Sequence, residues 1–124
     1  MSKKVLIIDD DQDILEPLSL LLEDEGYHVA TTPKGEMTYT KIMEFHPDIV
    51  LLDLLISGSD GREICKQLKE NKKTNAIPVI MMSAHPGAQD DSKRAGANAF
   101  IAKPFETDYL LRLIKKTLGG VKKR

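Results

Sequence analysis

The chain has 124 residues, of which 41% are hydrophobic, 30% charged and 5% aromatic; this is room for one domain with its own core, and the composition excludes a disordered chain. With 18 Lys plus Arg against 19 Asp plus Glu, the net charge of −1 gives no global field for nucleic acid or an anionic membrane, so any electrostatic function is local. The lone Cys65 excludes an intrachain disulfide, no Cys or His spacing suits zinc, and Met1 to Lys4 lead into an apolar run too short for a signal peptide or a membrane span; the expected setting is the cytoplasm.

In chain order, Val5–Ile8 is a continuous apolar run of strand character, followed by Asp9-Asp10-Asp11 and a helical stripe at Ile14, Leu18, Leu21 and Leu22. Asp11 or Asp13 suits the N-cap of that helix, and Gly26 its C-terminal end. Pro17 lies about one turn inside: either it removes a hydrogen bond and crowds the Asp13 carbonyl, or the helix begins later. Tyr27–Thr31 is a second, more polar strand, and Pro33 opens a second helix at its first turn, with Tyr39, Ile42 and Met43 as its stripe and Pro47 closing it.

Ile49–Leu52 is a third strand ending at Asp53, and Asp60 can cap a third helix that carries Ile64, Cys65 and Leu68. Ile77–Met82 is a fourth strand ending at Ser83. The segment Pro86–Ala95 that follows has few apolar residues and predicts a short fourth helix. Ala99–Ala102 is a fifth strand ending at Lys103; Leu110, Leu113 and Ile114 mark a last helix, and residues 119–124 form a flexible basic tail.

Apolar runs without in/out alternation are expected of parallel strands covered on both faces. Five strands alternating with five helices therefore predict a three-layer α/β domain with right-handed crossovers, its folded core spanning about residues 4–118.

Ligands of an open parallel sheet bind at the carboxyl ends of its strands, and here those ends carry Asp9, Asp10, Asp53, Ser83 and Lys103. A single aspartate after a strand is commonly a helix cap, but capping does not account for the whole set. Three carboxylates brought together repel and raise one another's pKa unless a divalent cation or Lys103 compensates. An oxygen-only set favours Mg2+, with Mn2+ as an alternative, and Mg2+ is commonly completed by phosphate oxygens. The site therefore suits phosphoryl chemistry, with Asp53 as nucleophile and with Lys103 and Ser83 contacting the phosphoryl group.

Several motifs accompany that set: Val5-Leu-Ile-Ile-Asp-Asp-Asp11, Pro47-Asp-Ile-Val-Leu-Leu-Asp-Leu54, Gly58-Ser-Asp-Gly61, Met82-Ser-Ala84, Ala95-Gly-Ala97 and Phe100-Ile-Ala-Lys-Pro-Phe105. In these the chain resembles response-regulator receiver domains from Lys4 to about Leu118. The resemblance implies a flavodoxin-like fold with a five-stranded parallel sheet in the order 2-1-3-4-5. It implies Asp53 as phosphoacceptor, Asp10 as a direct metal ligand, Asp9 as one acting largely through water, and the Leu55 carbonyl as a further ligand. It also implies a cis peptide at Lys103-Pro104 and a switch in which Ser83 moves toward the phosphoryl group while Phe100 turns inward. Phe100 has no phenol hydroxyl, so its inward state rests on packing.

The chain departs from the family pattern in three places, one being Pro17, which lies outside the motifs and bends the first helix at most. Ser57 stands where proline is usual, which leaves that loop less rigid, and the spacing from Ser83 to Lys103 is short, the shortage falling in the fourth helix. Leu55 and His85, each two residues beyond a site residue, are placed to tune the lifetime of a phosphoryl group; an apolar Leu55 cannot orient a water, which predicts slow self-dephosphorylation.

The resemblance implies a phosphorelay module, not an enzyme acting on other substrates. It takes its phosphoryl group from a sensor histidine kinase or histidine phosphotransfer protein and acts by contact with a downstream protein, as a monomer or weak dimer. A receiver-like module that binds without phosphorylation is the alternative. A hydrolase with an aspartyl-phosphate intermediate would want an acid at Leu55. Nucleotide or flavin binding is opposed by the charge of Asp9–Asp11 and by the lack of a phosphate-cradling glycine loop.

Overall fold

The computed structural model describes residues 2–122 and the side chains of residues 2–119. The elements are β1 (Lys4–Ile8), α1 (Gln12–Asp24), β2 (His28–Thr32), a 3-10 turn (Gly35–Met37), α2 (Thr38–Phe45), β3 (Ile49–Asp53), β4 (Leu55–Ile56), β5 (Ser59–Asp60), α3 (Gly61–Glu70), β6 (Val79–Ser83), α4 (Ala88–Arg94), β7 (Ala99–Ala102) and α5 (Thr107–Lys122). Five strands form one sheet in the order β2-β1-β3-β6-β7, every neighbouring pair parallel. Setting aside the separate β4–β5 hairpin, this is the flavodoxin-like order that the family resemblance implies.

The continuous apolar runs are explained by two cores. Val5, Ile7, Ile49, Leu51, Ile80 and Met82 point to one face, where Leu15, Leu18 and Leu22 of α1 and Leu110 and Ile114 of α5 cover them. Leu6, Ile8, Val50, Leu52, Val79 and Met81 point to the other, beneath Ile42 of α2, Cys65 and Leu68 of α3, and Ala88 of α4. Alternate side chains go to opposite faces, and each face has helices to bury them, so no position along a central strand needs to be polar.

Helix ends follow local chemistry. The Asp11 side chain accepts from the Asp13 N–H at the start of α1, and that of Asp60 accepts from the Arg62 N–H at the start of α3. Gly26, at φ +94°, turns the chain after α1, and the Tyr27 N–H donates to the Leu22 carbonyl. Pro17 lies inside α1, which begins at Gln12, so the helix bears the missing hydrogen bond and does not start later.

Three expectations are corrected, on Pro33, on Tyr39 and on the start of the fourth strand. Pro33 does not open α2: a 3-10 turn beginning at Gly35 intervenes, and Tyr39 is 42% exposed and no part of the core stripe. The fourth strand starts at Val79, since Pro78 has no N–H to give a ladder. The loop after Asp53 contains a short hairpin. Within the stretch expected as a flexible tail over 119–124, α5 runs to Lys122; residues 123–124 lie outside the described residues. As expected, α4 is short, with seven residues.

Candidate functional site

The order of the sheet reverses at β1, whose neighbours are β2 on one side and β3 on the other. The carboxyl ends of β1 and β3 therefore flank the crevice in which such sheets bind ligands. Asp9 directly follows β1 and is fully buried; Asp53 is the last residue of β3 and 7% exposed; Asp10 lies at the solvent edge. Each of the three offers a carboxylate oxygen, and these oxygens all lie within 4.8 Å of one another. A cluster of hard oxygen donors on one open edge fits a divalent cation of the Mg2+ type.

Lys103, in the turn after β7, closes the cluster. Its Nζ donates to Asp9 Oδ2 at 2.7 Å and more weakly to Asp53 Oδ1 at 3.4 Å. Asp9 Oδ1 accepts from the Asp11 N–H at 2.9 Å, so both Asp9 oxygens are engaged within the protein. The Lys103 N–H donates to the Ser83 carbonyl at 3.0 Å, which ties the lysine to the end of β6, and the Lys103-Pro104 peptide is cis. Ser83 is 3% exposed, and its Oγ accepts from the N–H of the exposed His85 at 3.0 Å.

The electrostatics follow from this packing. Burial and the neighbouring Asp9 push the Asp53 carboxyl up to about 6, with Lys103 opposing them. Burial disfavours the Lys103 charge, yet its hydrogen bond to Asp9 and the attraction of Asp9 and Asp53 outweigh that and hold its pKa above the usual lysine value. Asp10 is held below the usual carboxylate range, chiefly by a backbone hydrogen bond from Ser57, whose N–H donates to Oδ2 at 2.8 Å.

The sequence-predicted residues thus fall into two groups. Asp9, Asp10, Asp53 and Lys103 converge, and Ser83 joins them through the backbone of Lys103. Leu55 opens β4 with its side chain 54% exposed, two residues beyond Asp53. Phe100 is remote from the cluster: it lies earlier on β7, opposite Met81, partly buried against the core under α2, α3 and α4. It also lines an open groove of about 440 Å³ with Gln89, Tyr109 and Arg112.

Two features escaped the sequence reading. The first is the β4–β5 hairpin and its bond to Asp10; the turn residues Ser57-Gly58 between an apolar pair and Ser59-Asp60 were its only signal. The second is Arg62, which bridges Asp60 at 2.8 Å and Asp91 of α4 at 3.3 Å.

The model of the response regulator receiver domain matches residues 5–115. Among solved structures, a response-regulator candidate from Chloroflexus aurantiacus is 33% identical with a TM-score of 0.91, covering 96% of this chain and 99% of its own. The signal receiver domain of a histidine kinase from Syntrophus aciditrophicus is 30% identical with a TM-score of 0.90, covering 99% and 95%. The chemotaxis response regulator CheY4 of Vibrio cholerae is 26% identical with a TM-score of 0.87, covering 94% and 99%. With its sheet order, its acidic crevice and this match over most of its length, the chain belongs to the response regulator receiver domain family of two-component signalling.

Proposed function

We propose that this receiver domain accepts a phosphoryl group on Asp53 and signals by the change in contact surface that follows. The observation that carries the proposal is the convergence of Asp9, Asp10 and Asp53 with Lys103 at the carboxyl ends of β1, β3 and β7. Asp53 is the member of the set suited to be the nucleophile. It ends the central strand β3 and has no short side-chain hydrogen bond among the described residues, whereas both oxygens of Asp9 are engaged.

An Asp53 oxygen attacks the phosphorus of a phosphohistidine on a sensor kinase or phosphotransfer protein. The P–N bond breaks, its electron pair leaves with the imidazole, and that nitrogen takes up a proton. The Lys103 ammonium and the Ser83 hydroxyl stabilise the phosphoryl oxygens, which requires Lys103 to exchange its bond to Asp9 for one to the phosphoryl group. Asp10, Asp53 and the Leu55 carbonyl would hold Mg2+, or Mn2+ in its place, with Asp9 acting through water; when bound, the ion supplies charge neutralisation at the same oxygens.

Dephosphorylation is attack by water on the phosphorus: the bond from phosphorus to the Asp53 oxygen breaks, its electron pair stays on the restored carboxylate, and inorganic phosphate leaves. The apolar Leu55 offers that water no hydrogen bond, which makes the phosphoryl state long-lived, while the exposed His85 is the polar neighbour. An apolar groove of about 420 Å³ adjoins Lys103, lined by Ile14, Pro17, Leu18 and Leu21 of α1 with Pro104 and Phe105; it suits the donor protein. The groove at Phe100 suits the downstream partner. With Ser83 and Phe100 on adjacent strands, packing is the link between the two.

Intact mass after incubation with acetyl phosphate tests the proposal. One phosphoryl group should be added, only with Mg2+ present and not in Asp53→Ala. No addition would favour a receiver fold that binds its partners without phosphorylation.

A further inference from the structure

The β4–β5 hairpin is too small to hold itself together. It pairs Leu55 with Asp60 and Ile56 with Ser59, and two-stranded ribbons of this size are marginal in water without outside anchors. Gly58, at φ +76°, follows Ser57, whose φ is not positive; this is the order of a type II turn, which matches strand twist less well than the primed turns do.

Three anchors compensate. Ile56 is 4% exposed and packs into the core beside α3. At the base, the Gly61 N–H donates to the Leu54 carbonyl at 2.8 Å. At the tip, the Ser57 N–H donates to Asp10 Oδ2 at 2.8 Å, across 47 residues of sequence. The tip anchor requires a residue with a backbone N–H at position 57, which a proline there would abolish. It also acts on the acidic crevice, because Asp10 is the cluster carboxylate nearest solvent and a free carboxylate turns about its side-chain bonds.

We infer that the backbone N–H of Ser57 is a positioning group for the cation site: it fixes the Asp10 carboxylate by one oxygen, leaves the other for the ion, and so couples ion binding to the order of the hairpin. The inference rests on the assignment of Asp10 as a metal ligand made above. A hydrogen bond that orients a metal-binding side chain commonly changes metal affinity by about ten- to a hundredfold when lost. Coupling is reciprocal, so an ion that binds better to the ordered hairpin must also order it.

The test compares wild type, Ser57→Ala and Ser57→Pro by calorimetric titration with Mg2+ alone, with a circular dichroism melt on each, and follows amide hydrogen exchange over residues 55–60. Ser57→Ala keeps the N–H and should bind Mg2+ within about threefold of wild type, while Ser57→Pro should bind about tenfold more weakly or worse. In wild type, saturating Mg2+ should slow exchange of the Ser57 amide severalfold, a reading that stands even if Ser57→Pro does not fold. Equal affinity of Ser57→Pro and Ser57→Ala, or an unchanged Ser57 exchange rate, would overturn the inference. Failure of wild type itself to bind Mg2+ would overturn instead the assignment on which it rests.

Discussion

At the scale of residues, the acidic crevice is a balance of charge that Lys103 keeps without a metal. Its side chain is 16% exposed, and its ammonium bonds to the fully buried Asp9. Removing one partner of such a pair leaves an uncompensated buried charge, commonly at a cost of about 3–5 kcal/mol. Lys103→Met should therefore lower the stability of the metal-free protein by about 3 kcal/mol in urea melts. Saturating Mg2+ should restore most of the loss, because the ion takes over the compensation, and an undiminished loss in Mg2+ would count against a cation site here. The same variant should slow phosphorylation by acetyl phosphate about a hundredfold, the usual effect of losing one charged donor to a transferring group.

Asp53 carries the complementary prediction. Its carboxyl is raised from 3.8 to about 6 in the folded protein, so the folded state holds its proton more tightly than the unfolded chain does. The resulting stabilisation is complete below about pH 4 and lost as pH rises through about 6. Relative to Asp53→Asn, which does not titrate, metal-free wild type should lose on the order of 3 kcal/mol between pH 4 and pH 7. Mg2+ favours the ionised carboxylate and should flatten the difference. Melts of the two proteins across that range decide the matter; a difference that grows in the opposite direction contradicts the burial argument.

At the scale of elements, the site depends on how closely α3 approaches β3. Gly61 opens α3, and a Cβ there would lie 2.4 Å from the Asp53 carbonyl oxygen and 2.8 Å from the Leu54 Cα. Both neighbours are backbone and cannot swing aside, so the requirement is for the absence of a side chain. Gly61→Ala should cost about 2–3 kcal/mol in stability. It should also weaken Mg2+ binding by moving Asp53, whereas Gly119→Ala, helical and with open space around its Cβ position, should leave Mg2+ binding unchanged and raise stability by up to about 1 kcal/mol. Arg62, one residue on, joins the start of α3 to α4 through Asp91, and Arg94 completes that surface network at 3.0 Å from Asp91. The short α4 thus has a polar tie to α3 in addition to the small buried residues Ala88 and Ser92 on its inner face.

At the scale of the whole molecule, the parallel sheet was legible because both of its faces are covered. Buried strands such as Ile49–Asp53 need no polar position, and their unbroken apolar runs stand out from helical stripes. The acidic set was legible for the same reason, since polar residues ending apolar runs mark the binding edge of such a sheet. What the sequence left hidden depends on tertiary contact. The hairpin after Asp53 is held by Asp10 and by the close approach of Gly61, neither of which leaves a periodic signal. Tyr39 sat in a helical stripe but is exposed, because one turn before Ile42 it is the buried Thr38 that takes the inward position of α2. Pro17 broke a local rule that α1 tolerates, its apolar face being anchored on the sheet by Leu15, Leu18 and Leu22.

The proposed acceptor of the phosphoryl group is Asp53, not the neighbouring Asp9 or Asp10. Borohydride reduces an aspartyl phosphate to homoserine, so treating the acetyl phosphate-modified protein with borohydride and mapping its peptides by mass locates the acceptor. Homoserine is expected at position 53, with intact aspartates at positions 9 and 10. Homoserine at either of those positions, or unreduced protein throughout, would contradict it.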